Sequence, residues 1–198
     1  MGRTPNFKQD DEKFGKFGEK DFKEWCEVSG WKYLDVSMEP LCQVADIDFF
    51  ISKREIPSSL LTDSKELKEL VFSKNTQNRS VFKVEVKCDT RSFETRNIVY
   101  EVIAHDFAGC CGETKADFVY YVFVDEDVNK KEAWMINLRK WREYLRTNFF
   151  GKIKELSYGG VVKDYGIKVN NFNTYGDCTA NFLCNIEKLK EAGIAIKK

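Results

Sequence analysis

Phe14, Phe17, Phe22, Trp25 and Cys26 recur at helical spacing, which predicts an amphipathic helix from about Phe14 to Val28 that stops at Ser29-Gly30. Trp31–Val36 reads as a short extended segment and Val44–Ile51 as a strand. Asp63 with Glu66 three residues later makes a capping box for a helix near Ser64–Phe72, whose apolar side is Leu67, Leu70 and Val71. Asn75–Arg79 is a polar turn. The cleanest period-two stretch is Ser80–Cys88. It puts Phe82, Val84, Val86 and Cys88 on one face, and Val81, Lys83, Glu85 and Lys87 on the other. After a turn at Asp89–Thr95, strands are predicted over Asn97–Ala104 and Ala133–Asn137. Between them, Phe118–Val124 is continuously apolar, as a strand buried on both faces is. His105–Lys115 reads as irregular. A basic helix follows from about Leu138 to Arg146. The last quarter is rich in Gly, Asn and Tyr, with alternation at Gly160–Lys163 and Gly166–Val169, then Asn181–Ile186 and a helix at Glu187–Ala192. No repeat or linker divides the chain, so one domain over residues 1–198 is expected, with a core at about 14–147 and a β-rich extension at about 148–198. The order of elements is that of an α/β fold with a central mixed β-sheet flanked by helices.

Composition narrows the class. With 14% aromatic residues, 16 of them Phe, the chain can bury a core and is not a disordered one. No apolar run reaches the roughly 18–20 residues of a membrane span, and the amino-terminal stretch has no apolar signal core. A soluble, cytoplasmic protein is the expectation. Seven cysteines, among them the vicinal Cys110-Cys111, form no Cys-x-x-Cys pair, which fits reduced thiols rather than a secreted disulfide framework. The single histidine, His105, makes a structural zinc site improbable and reads as a polar loop residue. Basic and acidic residues balance at 32 each, so any contact with nucleic acid is expected to be local. Arg139–Lys154 is where the basic charge concentrates. Arg139, Lys140, Arg142, Arg146, Lys152 and Lys154 stand there against the acid Glu143, with Trp141, Tyr144 and Phe149 interleaved. The stretch reads either as a surface tracking a phosphate backbone or as a solvated helix face.

The candidate chemistry lies on two strands. In an extended chain residues i and i+2 project the same way, roughly 7 Å apart. Glu85 and Lys87 therefore share a face, as do Asp46, Asp48 and Phe50 on the upstream strand. If those strands pair, two carboxylates and an ammonium converge. Phosphodiester hydrolysis needs such a set: carboxylates to hold Mg2+, and a lysine to orient or deprotonate a water and to offset developing negative charge. Surface strands also alternate Glu and Lys as plain charge partners, and Glu19 on the first helix is either an acid aimed at this site or a solvated helix residue.

Glu19, Gln43-Val44-Ala45-Asp46-Ile47-Asp48 and Val84-Glu85-Val86-Lys87-Cys88-Asp89 together resemble the PD-(D/E)XK nuclease superfamily, the restriction-endonuclease-like fold. Within it the chain looks like small phage- or prokaryote-encoded nucleases. Asn97-Ile98-Val99-Tyr100-Glu101 and Lys115-Ala116-Asp117-Phe118 stand where that group has an Asn-Ile-x-x-Glu strand and an Ala-Asp-Tyr strand opening. The resemblance covers roughly residues 14–147. It implies a magnesium-dependent deoxyribonuclease, with Mn2+ able to substitute. Asp48 and Glu85 would be metal ligands, the Val86 carbonyl a further ligand, Lys87 would serve the water, and Glu19 would assist the metal or a second ion. Asp46 is the rival for Asp48, which is preferred because the motif's aspartate opens a hydrophobic run, here Phe49-Phe50-Ile51. Glu101 is a second-tier candidate. Two departures stand out: no proline precedes the aspartate, and Ala45 replaces a glycine. DNA is the implied partner, and a homodimer is an assembly used by such enzymes to cut two strands. The alternative is a non-catalytic nucleic-acid-binding or assembly protein on a nuclease-derived fold. An enzyme acting on other phosphate substrates would want a Gly-rich phosphate loop opening a helix, and none is present.

Overall fold

The computed structural model describes residues 7–73, 80–104, 107–108, 114–153, 169–171 and 180–198. In chain order the elements are α1 (Phe7–Val28), β1 (Lys32–Asp35), α2 (Pro40–Val44), β2 (Phe49–Ser52), a 3-10 turn (Ser58–Leu61), α3 (Ser64–Phe72), β3 (Val81–Asp89), α4 (Ser92–Thr95), β4 (Asn97–Ala104) and β5 (Phe107–Ala108). They continue as β6 (Phe118–Val124), β7 (Lys130–Asn137), α5 (Leu138–Ile153), β8 (Val169–Asn171), β9 (Ala180–Asn185), α6 (Ile186–Glu191) and β10 (Ala195–Lys197). Six strands form a mixed sheet in the order β1-β2-β3-β6-β7-β10, in which only the β3–β6 pair is parallel. The α/β class with a central mixed sheet flanked by helices is therefore observed.

The period-two pattern of β3 decides how the layers stack. Phe82, Val84, Val86 and Cys88 turn toward α1 and join Phe22, Cys26, Phe49, Ile51, Tyr120 and Val122 in one apolar cluster. Phe22 is at its centre, fully buried, with ring centroids 4.8 Å from Phe49 and 5.0 Å from Tyr120. The opposite face of the sheet is covered in two separate patches. Val36, Cys42, Ile47, Phe50, Leu67 and Val71 form one, beneath α2 and α3. Val119, Tyr121, Trp134, Ile136, Trp141, Leu145 and Ile186 form the other, beneath α5 and α6. Glu85 and Lys87 project from β3 onto this divided face.

Local signals explain the element ends. Asp63 accepts hydrogen bonds from the Lys65 and Glu66 amides at 3.0 and 2.9 Å, capping α3 as its sequence predicts. Gly30 ends the α1 turn at φ 66°. Gly18 allows α1 to lie against β3, since a Cβ there would stand 3.0 Å from Val86 Cγ1 and 3.3 Å from Cys88 Cβ. Gly18→Ala gains about 1 kcal/mol of helix propensity, but overpacking of this kind costs about 1–3 kcal/mol. A net loss of about 1 kcal/mol is expected, read as an earlier urea midpoint at unchanged slope.

Two expectations change. Val44–Ile51 is not one strand: α2 ends at Val44, Asp46 takes a left-handed conformation (φ 50°), and β2 begins at Phe49. β4 does not join the central sheet. It pairs with β5 and β9 in a second sheet, ordered β5-β4-β9-β8, to which the crossover between β3 and β6 supplies β4 and β5 and the segment after α5 supplies β8 and β9. In the carboxy-terminal part, α5 runs on to Ile153, and β10 returns to the central sheet beside β7. The stretches 75–79 and 160–168 lie outside the described residues, as do His105, Cys110 and Cys111.

Candidate active site

β2 and β3 pair antiparallel with Phe49 opposite Val84 and Phe50 opposite Lys83. One step further along the same register, Asp48 stands opposite Glu85. The Asp48 amide donates to the Val84 carbonyl at 2.9 Å, and the Val86 amide donates to Asp48 Oδ2 at 2.7 Å. Directly opposed residues hold their Cβ atoms about 4.5–5.5 Å apart, so the two carboxylates share one end of the strand pair. In a strand the N–H and C=O of one residue project to the same edge. The Val86 carbonyl consequently faces the Asp48 side, past the first residue of β2.

Glu85 is 3% exposed. Its Oε1 takes the Lys87 ammonium at 2.8 Å, and its Oε2 is buried with no hydrogen-bond partner among the described residues. Burial raises the Glu85 carboxyl above the ordinary range; the Lys87 ammonium counteracts this, while Asp46 and Asp48 add to it. Asp48 is raised as well, by burial first, against the Val86 hydrogen bond and Lys87. Glu19, half-buried on α1, is raised by burial and then by Asp48 and Asp35. Burial and mutual repulsion both favour the protonated form of these carboxyls, and such a cluster of raised acids marks a candidate functional site.

These placements sort the expected residues. Asp48, Glu85, Val86 and Lys87 come together at one end of the β2–β3 pair. Glu19 lies within electrostatic reach of Asp48 but belongs to the helix covering the other face. Asp46 does not share a strand face with Asp48, because its left-handed backbone breaks the alternation; it still raises Glu85. Asp46 is also the backbone position that would favour a glycine, whereas Ala45, to which the glycine was assigned, is at φ −98°. Glu101 falls on β4, opposite Asn181 in the second sheet, and its side chain lies outside the described residues. Asp117 has a structural job. Its Oδ2 accepts from the Lys83 amide at 2.9 Å and its own amide donates to the Lys83 carbonyl at 2.8 Å, locking β6 to β3.

Among the described residues, no three His, Cys, Asp or Glu side chains gather closely enough to hold a metal ion. The donor set is two carboxylates and a backbone carbonyl, all oxygen, with one buried carboxylate oxygen unsatisfied. That set fits Mg2+ or Mn2+, which are bound through one or two carboxylates and keep several waters, and does not fit a closed zinc site.

Thr114 carries no pattern that singles it out in the sequence, yet it is buried and bonded to the turn that precedes Asp48. Its hydroxyl donates to the Ala45 and Asp46 carbonyls, at 3.2 and 2.9 Å, and accepts from the Ala116 amide. Its carbonyl accepts from Arg142 Nη2 at 2.7 Å. Among the described residues no helix is long and apolar enough to cross a membrane. No family model, curated protein or solved structure matches the chain.

Proposed function

We propose that the protein is a magnesium-dependent nuclease of the restriction-endonuclease-like type, hydrolysing DNA phosphodiester bonds at the Asp48–Glu85–Lys87 end of β2 and β3. The observation that carries this reading is Glu85 itself. A carboxylate buried to 3% exposure, with Lys87 at one oxygen, no partner among the described residues at the other, and two further acids raising it, leaves a buried acceptor that a divalent cation would satisfy in the working protein.

Asp48, Glu85 and the Val86 carbonyl would hold the ion. Bound there, a divalent cation supplies positive charge against the phosphate and acidifies a water. Lys87, tethered to Glu85 and partly exposed, presents an ammonium on the same face, able to orient the attacking water and to stabilise charge developing on the phosphate oxygens. The Val86 amide holds Asp48 in one rotamer, and α1 behind β3 keeps the strand from yielding. Glu19 adds negative potential that favours a cation near Asp48.

The test is cleavage of supercoiled plasmid and of labelled single-stranded and duplex oligonucleotides with Mg2+ or Mn2+. Cleavage that is abolished by chelator and by Asp48→Asn supports the reading. If the wild type cuts none of these substrates with either metal, the enzyme reading fails. Binding that persists in chelator would then leave the nucleic-acid-binding alternative.

A further inference from the structure

The basic run on α5 divides by face. Leu138, Trp141 and Leu145 are buried in the core, and Trp141 is fully buried, so it offers no stacking platform to a base. Tyr144 packs half-buried against the same cluster. Lys140 is drawn to the carboxy-terminal turn, where its Nζ donates to the Gly193 carbonyl at 3.1 Å. Arg139, Arg142 and Arg146, with Glu143, line a surface groove. At about 100° per residue, positions i, i+3 and i+7 fall within roughly 60° of one another, and the outer two stand about 10.5 Å apart along the axis. Among the described residues, neither Arg139 nor Arg146 is in an ion pair. Arg142 is held by the Thr114 carbonyl, and the Thr114 hydroxyl holds the Asp46 carbonyl, two residues before Asp48. One buried residue therefore joins the arginine groove to the turn that presents the candidate metal ligand.

We propose that this groove seats the sugar-phosphate backbone of a nucleic acid strand flanking the Asp48–Glu85 site, and that it does so without reading sequence. The proposal rests on the nuclease reading. Guanidinium groups pair with phosphate oxygens in a bidentate way, and a rise of about 3.4 Å per nucleotide along a duplex lets the span from Arg139 to Arg146 cover roughly three phosphates. Among the described side chains, the burial of Trp141 and the packing of Tyr144 leave the groove lined by charged groups. Binding should therefore depend on salt and be indifferent to sequence.

Fluorescence anisotropy of end-labelled duplexes of two unrelated sequences, titrated in chelator across a salt series, tests the groove apart from catalysis. The wild type should bind both duplexes alike. Arg139→Ala/Arg146→Ala should weaken binding at least tenfold at moderate salt and flatten the log K against log salt slope by about 2, from the loss of two phosphate contacts. Both arginines are exposed, so the fold should survive, and Arg139→Lys/Arg146→Lys should restore most of the slope. Wild-type affinity and slope in the alanine variant would overturn the assignment, as would no binding by the wild type. Strong discrimination between the two sequences would overturn its indifference to sequence. If arginine-dependent binding holds while neither Mg2+ nor Mn2+ yields cleavage, the nuclease reading fails and the groove stands.

Discussion

Glu85→Gln is expected to abolish metal-dependent cleavage and, in chelator, to stabilise the protein. The loss of activity should reach about 10³-fold or more, roughly 4 kcal/mol in transition-state terms, because Gln presents neither the charge nor the second carboxylate oxygen that the site uses. The gain in stability follows from the direction of the Glu85 pKa. Burial, Asp46 and Asp48 outweigh Lys87, so the folded-state pKa lies above the unfolded value. Such a group binds its proton more tightly in the native state. Its contribution is therefore fully present below the ordinary carboxylate range and lost as pH rises through the raised pKa. At pH 8 the wild type carries a buried charge that Gln does not. The melting temperature of the variant should exceed that of the wild type there, and the gap should close as pH falls toward 4. Saturating Mg2+ should raise the wild type and leave the variant where it was. A variant less stable than wild type at every pH would mean that Glu85 is an ordinary structural acid paired with Lys87.

Lys87→Met should reduce cleavage by about 10²–10⁴-fold while leaving metal binding in place. The Lys87 side chain is 39% exposed and its partner Glu85 is held by the fold, so little stability is at stake. Metal affinity should hold or rise, since an ammonium competing for Glu85 Oε1 has gone. Lys87→Arg keeps a positive charge but cannot give up a proton near neutral pH. Recovery of less than a tenth of wild-type activity by the arginine variant would assign Lys87 to handling the water. Full recovery would assign it to charge stabilisation alone. Titrating Mn2+ by its electron spin resonance signal separates binding from turnover in both variants.

Much of the scaffold could be read from the chain because its pattern is local. Strict alternation placed Glu85 and Lys87 on one face of β3, the continuous apolar run of β6 marked a strand buried on both sides, and Asp63 announced the start of α3. What escaped was set by contacts distant in sequence. Alternation in Asn97–Ala104 identifies a strand but not its sheet, and β4 pairs with β9, whose register sets Asn97 opposite Asn185, rather than with β3. Asp46 resembles a strand residue by its neighbours, yet its carbonyl is taken by Thr114 and its backbone turns left-handed. Asp117 was noted as a motif position, and its part in clamping β3 to β6 depends on a partner 34 residues upstream. The arginine groove was half visible. Leu138, Trp141 and Leu145 repeat at the same spacing as Arg139, Arg142 and Arg146, one residue behind, so the apolar stripe and the basic stripe lie about 100° apart. Reading both periods together would have put Trp141 in the core from the start.

The central claim is that Asp48 and Glu85 form a divalent-cation site on the β2–β3 pair. Anomalous diffraction from a crystal soaked in Mn2+ tests it most directly. The account predicts one strong peak bridging the two carboxylates at about 2.0–2.3 Å, with the Val86 carbonyl turned toward it, and loss of that peak in Glu85→Gln. Carboxylates splayed beyond reach of a common ion, or a manganese peak that leaves both of them untouched, would contradict it.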